Sequence, residues 1–252
     1  MPTLEFSTDT AMLSGLIFAA AALYSSVGHA GASGYIASMA LFGIAPVVMK
    51  PTALTLNILV ATLGTLRWHR AGLVNWRALL PLLAASIPCA FIGGWLQLPA
   101  LWYRLLVGVV LLAAAAKLLV APRRQTEAAQ RATNVPWSGG LLSGAAVGLL
   151  SGLTGTGGGI FLSPILLFLG WAGPRGASGI TVPFILFNSI AGLLGNVLVL
   201  KSLPAELPYY AVAAVAGGLF GAQYGLQWGS AVILQRLLGA VLVVAGLKFI
   251  WV

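Results

Sequence analysis

Two stretches of this chain gather glycines, hydroxyls and an imidazole in a pattern suited to holding an anion. The first reads Ser26-Val27-Gly28-His29-Ala30-Gly31-Ala32-Ser33-Gly34, the second Gly152-Leu153-Thr154-Gly155-Thr156-Gly157-Gly158-Gly159. Glycine lets the backbone turn sharply and leaves its N–H groups unshielded. Where such a turn opens a helix, the unpaired N–H groups and the helix dipole favour negative charge. Thr154 and Thr156 add hydroxyl donors to the second stretch, and Ser33 adds one to the first. His29 adds a group that changes charge near neutral pH. The candidate substrate-binding set is therefore Gly28, His29, Gly31 and Ser33 together with Thr154, Gly155, Thr156, Gly157, Gly158 and Gly159. Four polar residues inside otherwise apolar segments join it: Thr55, Asn57, Thr181 and Asn188. Polar groups in such segments face a bundle interior, where interhelical hydrogen bonding competes with substrate contact as their role.

The elements that carry these residues follow from composition. The chain has 252 residues, 60% hydrophobic and 7% charged, with a mean hydropathy of +1.00. A soluble domain carries about 25% charged residues, so this is an integral membrane protein. Its apolar runs are continuous rather than alternating, which predicts helices and not a barrel. Ten segments are expected, at 11–27, 31–44, 52–66, 78–96 and 101–120, then 138–153, 157–171, 177–200, 207–227 and 230–251. The Gly-rich stretches cut the chain into pieces of roughly 12–17 residues, short for a hydrocarbon core about 30 Å thick. Gly-interrupted segments at corresponding positions of two halves are what a transporter built from internal repeats leaves in its sequence.

Residues 121–137 form a polar linker between a first transmembrane repeat, 1–120, and a second, 138–252. Motifs recur in order across it. Gly28-His-Ala-Gly and then Leu41-Phe42-Gly43 parallel Gly155-Thr-Gly-Gly and then Phe168-Leu169-Gly170. Leu54-Thr55 falls opposite Ile180-Thr181, Arg104-Leu-Leu opposite Arg236-Leu-Leu, and Lys117 opposite Lys248. Five segments per half is an odd number, so the second repeat is expected to be inverted.

Charge sets the expected topology. The net charge of +9 suits loop cations facing anionic headgroups rather than nucleic acid. One face receives Arg67, Arg70, Arg77, Lys117, Arg123, Arg124, Arg131, Arg175 and Arg236; the other receives Lys50, Arg104, Lys201 and Lys248. The positive-inside rule makes the first face cytoplasmic, with the linker on it, and puts both termini outside a plasma (inner) membrane. The N-terminal ten residues carry no Lys or Arg, unlike a cleavable signal peptide.

The run Gly155-Thr-Gly-Gly-Gly-Ile-Phe-Leu-Ser-Pro164, followed by Ala177-Ser-Gly-Ile-Thr181, resembles the sulfite exporter TauE/SafE family of membrane transporters. A weaker copy runs from Gly28 to Gly43 with Pro51-Thr52-Ala53-Leu54-Thr55. The resemblance extends over nearly the whole chain and implies transport of a sulfur-containing anion such as sulfite or an organosulfonate. His29 and Ala32 depart from a Gly-rich pattern in the first copy.

The remaining groups fill out the expectation. Glu5, Asp9, Glu127 and Glu206 are the four acids, and all fall in tails or loops. The expected partners are a lipid bilayer, a small anion and a coupling proton or Na⁺. With no carboxylate at membrane depth, His29 is the candidate proton carrier. His69, in Arg67-Trp68-His69-Arg70, reads as an interface anchor, and Arg104 and Arg236 as residues that snorkel. Cys89 is a single cysteine, so neither a disulfide nor a Cys-based metal cluster is expected, and no cofactor is. Two rival functions use the same residues. A passive anion channel needs the same donors. An intramembrane serine protease would use Gly31-Ala-Ser33-Gly34 or Gly176-Ala-Ser178-Gly179, but needs a His from another helix to reach the Ser. The reading adopted is a carrier and not an enzyme.

Overall fold

The computed structural model describes residues 7–120, 135–198, 203–224 and 231–251. Among them every regular element is a helix. The first five are α1 (Thr8–Ser26), α2 (Ala32–Leu41), α3 (Pro46–Arg70), α4 (Trp76–Trp95) and α5 (Ala100–Val120). The second five are α6 (Trp137–Thr154), α7 (Gly159–Phe168), α8 (Pro174–Val197), α9 (Leu207–Tyr224) and α10 (Ala231–Trp251). Each falls on one of the ten apolar segments. Most of the expected linker, residues 121–134, lies outside the described residues, as do Glu5 and Glu127.

Local signals account for many of the boundaries. Ser7 caps α1 by accepting from the Thr10 N–H, and Asn75 caps α4 by accepting from the Ala78 N–H at 3.1 Å. Pro46 and Pro174 open α3 and α8 at a position where the missing N–H costs nothing. α3, α4 and the 176–197 part of α8 are long and apolar enough to cross a bilayer on their own. α2 and α7 have 10 residues each, about 15 Å of helix, and cannot.

Close glycine contacts fix which helices run together. Gly144, Gly148 and Gly152 of α6 press on the backbone of Leu82, Ser86 and Ala90 of α4, in parallel. Gly217 and Gly221 of α9 press on Phe18 and Ala22 of α1, also in parallel. Both are small-residue contacts of the kind that lets membrane helices approach closely. α4 also runs parallel to α8, with Asn188 at Ser86 and Asn196 at Gly94. α3 and α8 run antiparallel: Gly64 lies at Val182, Asn57 at Ser189 and Leu54 at Gly192. α5 and α10 are antiparallel as well, pairing Gly108 with Ile250 and Leu112 with Gly246.

One end of the bundle carries exposed Arg67, Arg70 and Arg77 and is called here the basic end. The other, with Asp9 and Glu206, is the acidic end. Between them the flanks are apolar, with Phe168 90% and Leu142 76% exposed, as a surface solvated by lipid requires.

Candidate functional site

The two Gly-rich stretches are sharp reversals between helices. Gly28 and Gly31 have φ of 76° and 110°, and α2 doubles back along α1 so that Gly34 packs on Ala20 and Tyr24. Gly155, Gly157 and Gly158 have φ of 80°, 74° and 78°, and Gly158 packs on Val147 and Ser151 of the preceding helix. Only glycine takes these left-handed angles without strain, which is why the breaks fall where they do. Gly155 closes α6 and Gly158 opens α7.

The breaks meet α3 and α8 at different depths. The first lies toward the basic end, where Gly28 packs against Trp68 and Ser178. The second lies deeper toward the acidic end, where Gly155 sits on Lys50 and Gly157 faces Asn57, Ile185 and Ser189. Two polar clusters result. In the first, His29 Nε2 lies 2.8 Å from Ser163 Oγ, which lies 3.3 Å from Thr181 Oγ1 and donates to Gly159 O at 3.0 Å. His29 Nδ1 is 3.3 Å from Val27 O, which also accepts from Ser178 Oγ at 3.1 Å. In the second, Asn57 Nδ2 donates to Thr156 O and to Ser189 Oγ, both at 3.4 Å. Thr154 and Thr156 share a hydrogen bond of 2.9 Å, and Tyr103 donates to Thr154 O at 3.3 Å. Asn57 is 1% exposed, and its Oδ1 atom and the fully buried Ser151 hydroxyl have no hydrogen-bond partner. An unpaired buried polar group costs about 1–3 kcal/mol; the Ser151 hydroxyl has a proton to donate, whereas Asn57 Oδ1 can only accept.

The sequence-derived candidates thus divide. His29, Asn57, Thr154 to Gly159 and Thr181 converge on the breaks and their two helices. Ser33 does not join them; its hydroxyl is 2.6 Å from Tyr24 OH, tying α2 to α1. Thr55 donates to Pro51 O in its own helix, and Asn188 donates to Ser86 Oγ and Phe184 O, joining α8 to α4. His69 lies edge-on to Trp76 at the basic end. The His29–Ser163 pair is a Ser–His contact between the first break and α7, yet Ser163 is 4% exposed and the imidazole's other nitrogen faces a carbonyl. Neither serine of the Gly-x-Ser-Gly tetrapeptides is the one it meets at that distance.

Four residues escaped the sequence reading. Ser163 and Ser189 are ordinary serines in apolar runs, and Ser151 precedes the glycines by one turn. Lys50 was expected in a loop, but it lies inside α3 and is 5% exposed. Its ammonium donates to Gly93 O, Gly94 O and Leu96 O at 3.1, 3.0 and 3.3 Å, capping α4. Its spacing of seven from Asn57 could have placed both on one helix face.

A cavity opens toward each end of the bundle, and neither is lined by a residue of the second break. One of about 330 Å³ at the acidic end is lined by Asp9, Thr10, Thr52, Glu206 and Tyr210 among others. A smaller one of about 40 Å³ toward the basic end is lined by Ser25, Gly28, His29, Trp68 and Val182. At the second break Gly157, Asn57 and Ser189 are buried in contact with one another.

The ten helices among the described residues, the apolar flanks and the two Gly-rich breaks define an integral membrane protein with a buried polar centre. The sequence matches the family model of the sulfite exporter TauE/SafE over residues 13–249. It is also 37% identical over 245 residues to a probable membrane transporter protein, y4hK, of Sinorhizobium fredii, covering 97% of this chain and 99% of the relative. The chain belongs to the TauE/SafE family and is a membrane transporter. No solved structure matches it.

Proposed function

We propose that the chain is a secondary carrier that moves a small sulfur-containing anion, such as sulfite or an organosulfonate, by alternating access. The family name supports the substrate class. The observation that carries the mechanism is the pair of glycine breaks set at different depths against antiparallel α3 and α8. Such an arrangement follows from two five-helix repeats, 1–120 and 138–252, of opposite orientation joined by the 121–137 linker. The recurring lengths favour this: 19 and 18 residues in α1 and α6, 10 and 10 in α2 and α7, 25 and 24 in α3 and α8. So does the equivalence of the α1–α9 and α6–α4 contacts, each parallel and each built on glycines.

The anion sits at the second break, on the first-turn N–H groups of α7, with the Thr156 and Ser151 hydroxyls and the Asn57 amide around it. His29, bonded to Ser163 of the other repeat, closes the path toward the basic end and carries the coupled proton. The basic end and the linker face the cytoplasm, following the positive-inside rule. A carrier is favoured over a channel because Gly157, Asn57 and Ser189 pack together, buried, at the second break and leave no open path there.

Counterflow in proteoliposomes tests this reading. Labelled sulfite outside should be taken up faster when unlabelled sulfite is inside, because a carrier exchanges one anion for another. Uptake unaffected by internal sulfite would indicate a channel, and no uptake of any sulfur anion would remove the substrate assignment.

A further inference from the structure

Lys50 is a buried cation for which the transport scheme has no role as yet. It lies in α3 with 5% exposure, and its three donors meet the carbonyls that end α4. The carbonyl end of a helix carries about half a negative charge, which offsets only part of the ammonium charge. No described carboxylate lies within salt-bridge distance of it. Gly155 stacks on the Lys50 Cα and Cγ atoms, so the lysine directly underlies the second break. Seven residues further along the same face is Asn57, about 10 Å away along the axis. Beside the Lys50 ammonium, Asn196 of α8 donates to the same Gly94 carbonyl at 3.3 Å, and its own Oδ1 atom is buried without a partner.

Resting on the function proposed above, we propose that Lys50 sets the charge selectivity of the pathway. In the closed arrangement its ammonium is parked on the α4 carbonyls. When the α6–α7 break opens toward the acidic end, at least one N–H leaves a carbonyl and pairs with the anion. An anion gives up much of its hydration on entering a buried site, and dipoles alone replace that poorly. A fixed cation beside the break makes up the difference and excludes other cations by repulsion. The alternative role is a helix cap that only holds α4 in place.

Two variants separate these roles. Lys50→Met removes the charge, whereas Asn196→Asp leaves the lysine and gives it a permanent carboxylate partner beside Gly94 O. Each should weaken sulfite binding to purified protein by about tenfold or more, the worth of one charged hydrogen bond. Each should also compress the preference for sulfoacetate, with two charges, over isethionate, with one. Asn196→Ala keeps the charge unpaired and should bind within about threefold of wild type, less than one such bond is worth. If Lys50→Met does not fold, Asn196→Asp decides alone. Wild-type binding and charge preference in Asn196→Asp would overturn the proposal. So would an equal loss in Asn196→Ala, which would mark a positional role. If the unaltered protein binds neither sulfite nor sulfonate, the proposed function has failed rather than this inference.

Discussion

Gly157→Ala places a single methyl directly in the second break, where both backbone angle and space resist it. Its φ of +74° is one that an L side chain adopts at a cost of about 1–2 kcal/mol. The added Cβ would stand 2.5 Å from Asn57 Nδ2, 2.9 Å from Ile185 Cγ2 and 2.9 Å from Ser189 Oγ. All three neighbours are buried, so relief requires a shift of α3 or α8, an overpacking cost of about 1–3 kcal/mol. The total is about 2–5 kcal/mol, and it falls on the buried contact of the second break with α3 and α8. Two readouts follow: thermal unfolding in detergent and sulfite exchange in proteoliposomes. The variant should unfold at a lower temperature and lose most of its exchange, while Gly15→Ala, with open space around it, should do neither. A Gly157→Ala protein with wild-type melting and exchange would refute the packing argument and move the site away from the break.

Three further outcomes follow from the same geometry. His29→Gln keeps a hydrogen-bonding group beside Ser163 but cannot gain a proton, so wild-type affinity for isethionate, an anion whose charge is constant over this range, should rise as pH falls from about 8 to 5 while the mutant stays flat; a mutant profile matching wild type would make His29 structural. Gly148→Leu drives a side chain into the Ser86 backbone and should abolish accumulation of folded protein, measured by fluorescence-detected chromatography, whereas the exposed Leu142→Ala should not. In a Cys89→Ser background, cysteine at Thr8 should be labelled by a membrane-impermeant thiol reagent on intact cells and cysteine at Ala71 should not; the reverse pattern would invert the orientation.

Much of this molecule is legible in the order of its residues. Continuous apolar runs and their interruptions give the ten helices of the described residues, and the glycines at 28, 31, 155, 157 and 158 mark the reversals because their φ values admit nothing else. Partners across the bundle are not legible, since they depend on which helix lies beside which. Asn188 and Asn57 look equivalent in sequence, yet one reaches α4 and the other reaches the break. Ser33 shares the first Gly-rich stretch with His29 but points into the α1–α2 contact. Lys50 resembles a boundary cation because Pro51 follows it, a residue that often marks a helix start. The helix instead begins at Pro46, and the lysine is carried inside. Ser163 became visible only when α7 was placed against the first break.

The central claim is that the polar centre between the breaks binds a sulfur-containing anion, and ligand-induced stabilisation tests it most directly. Purified protein is melted against sulfite, sulfate, thiosulfate, isethionate, acetate and chloride at matched ionic strength. A ligand that binds the folded state at a hundred times its Kd raises stability by about 2.7 kcal/mol. The account predicts a saturable rise with one or more sulfur anions, lost in Gly157→Ala and absent with acetate and chloride. Equal stabilisation by every salt, or a saturable rise with acetate alone, would contradict it.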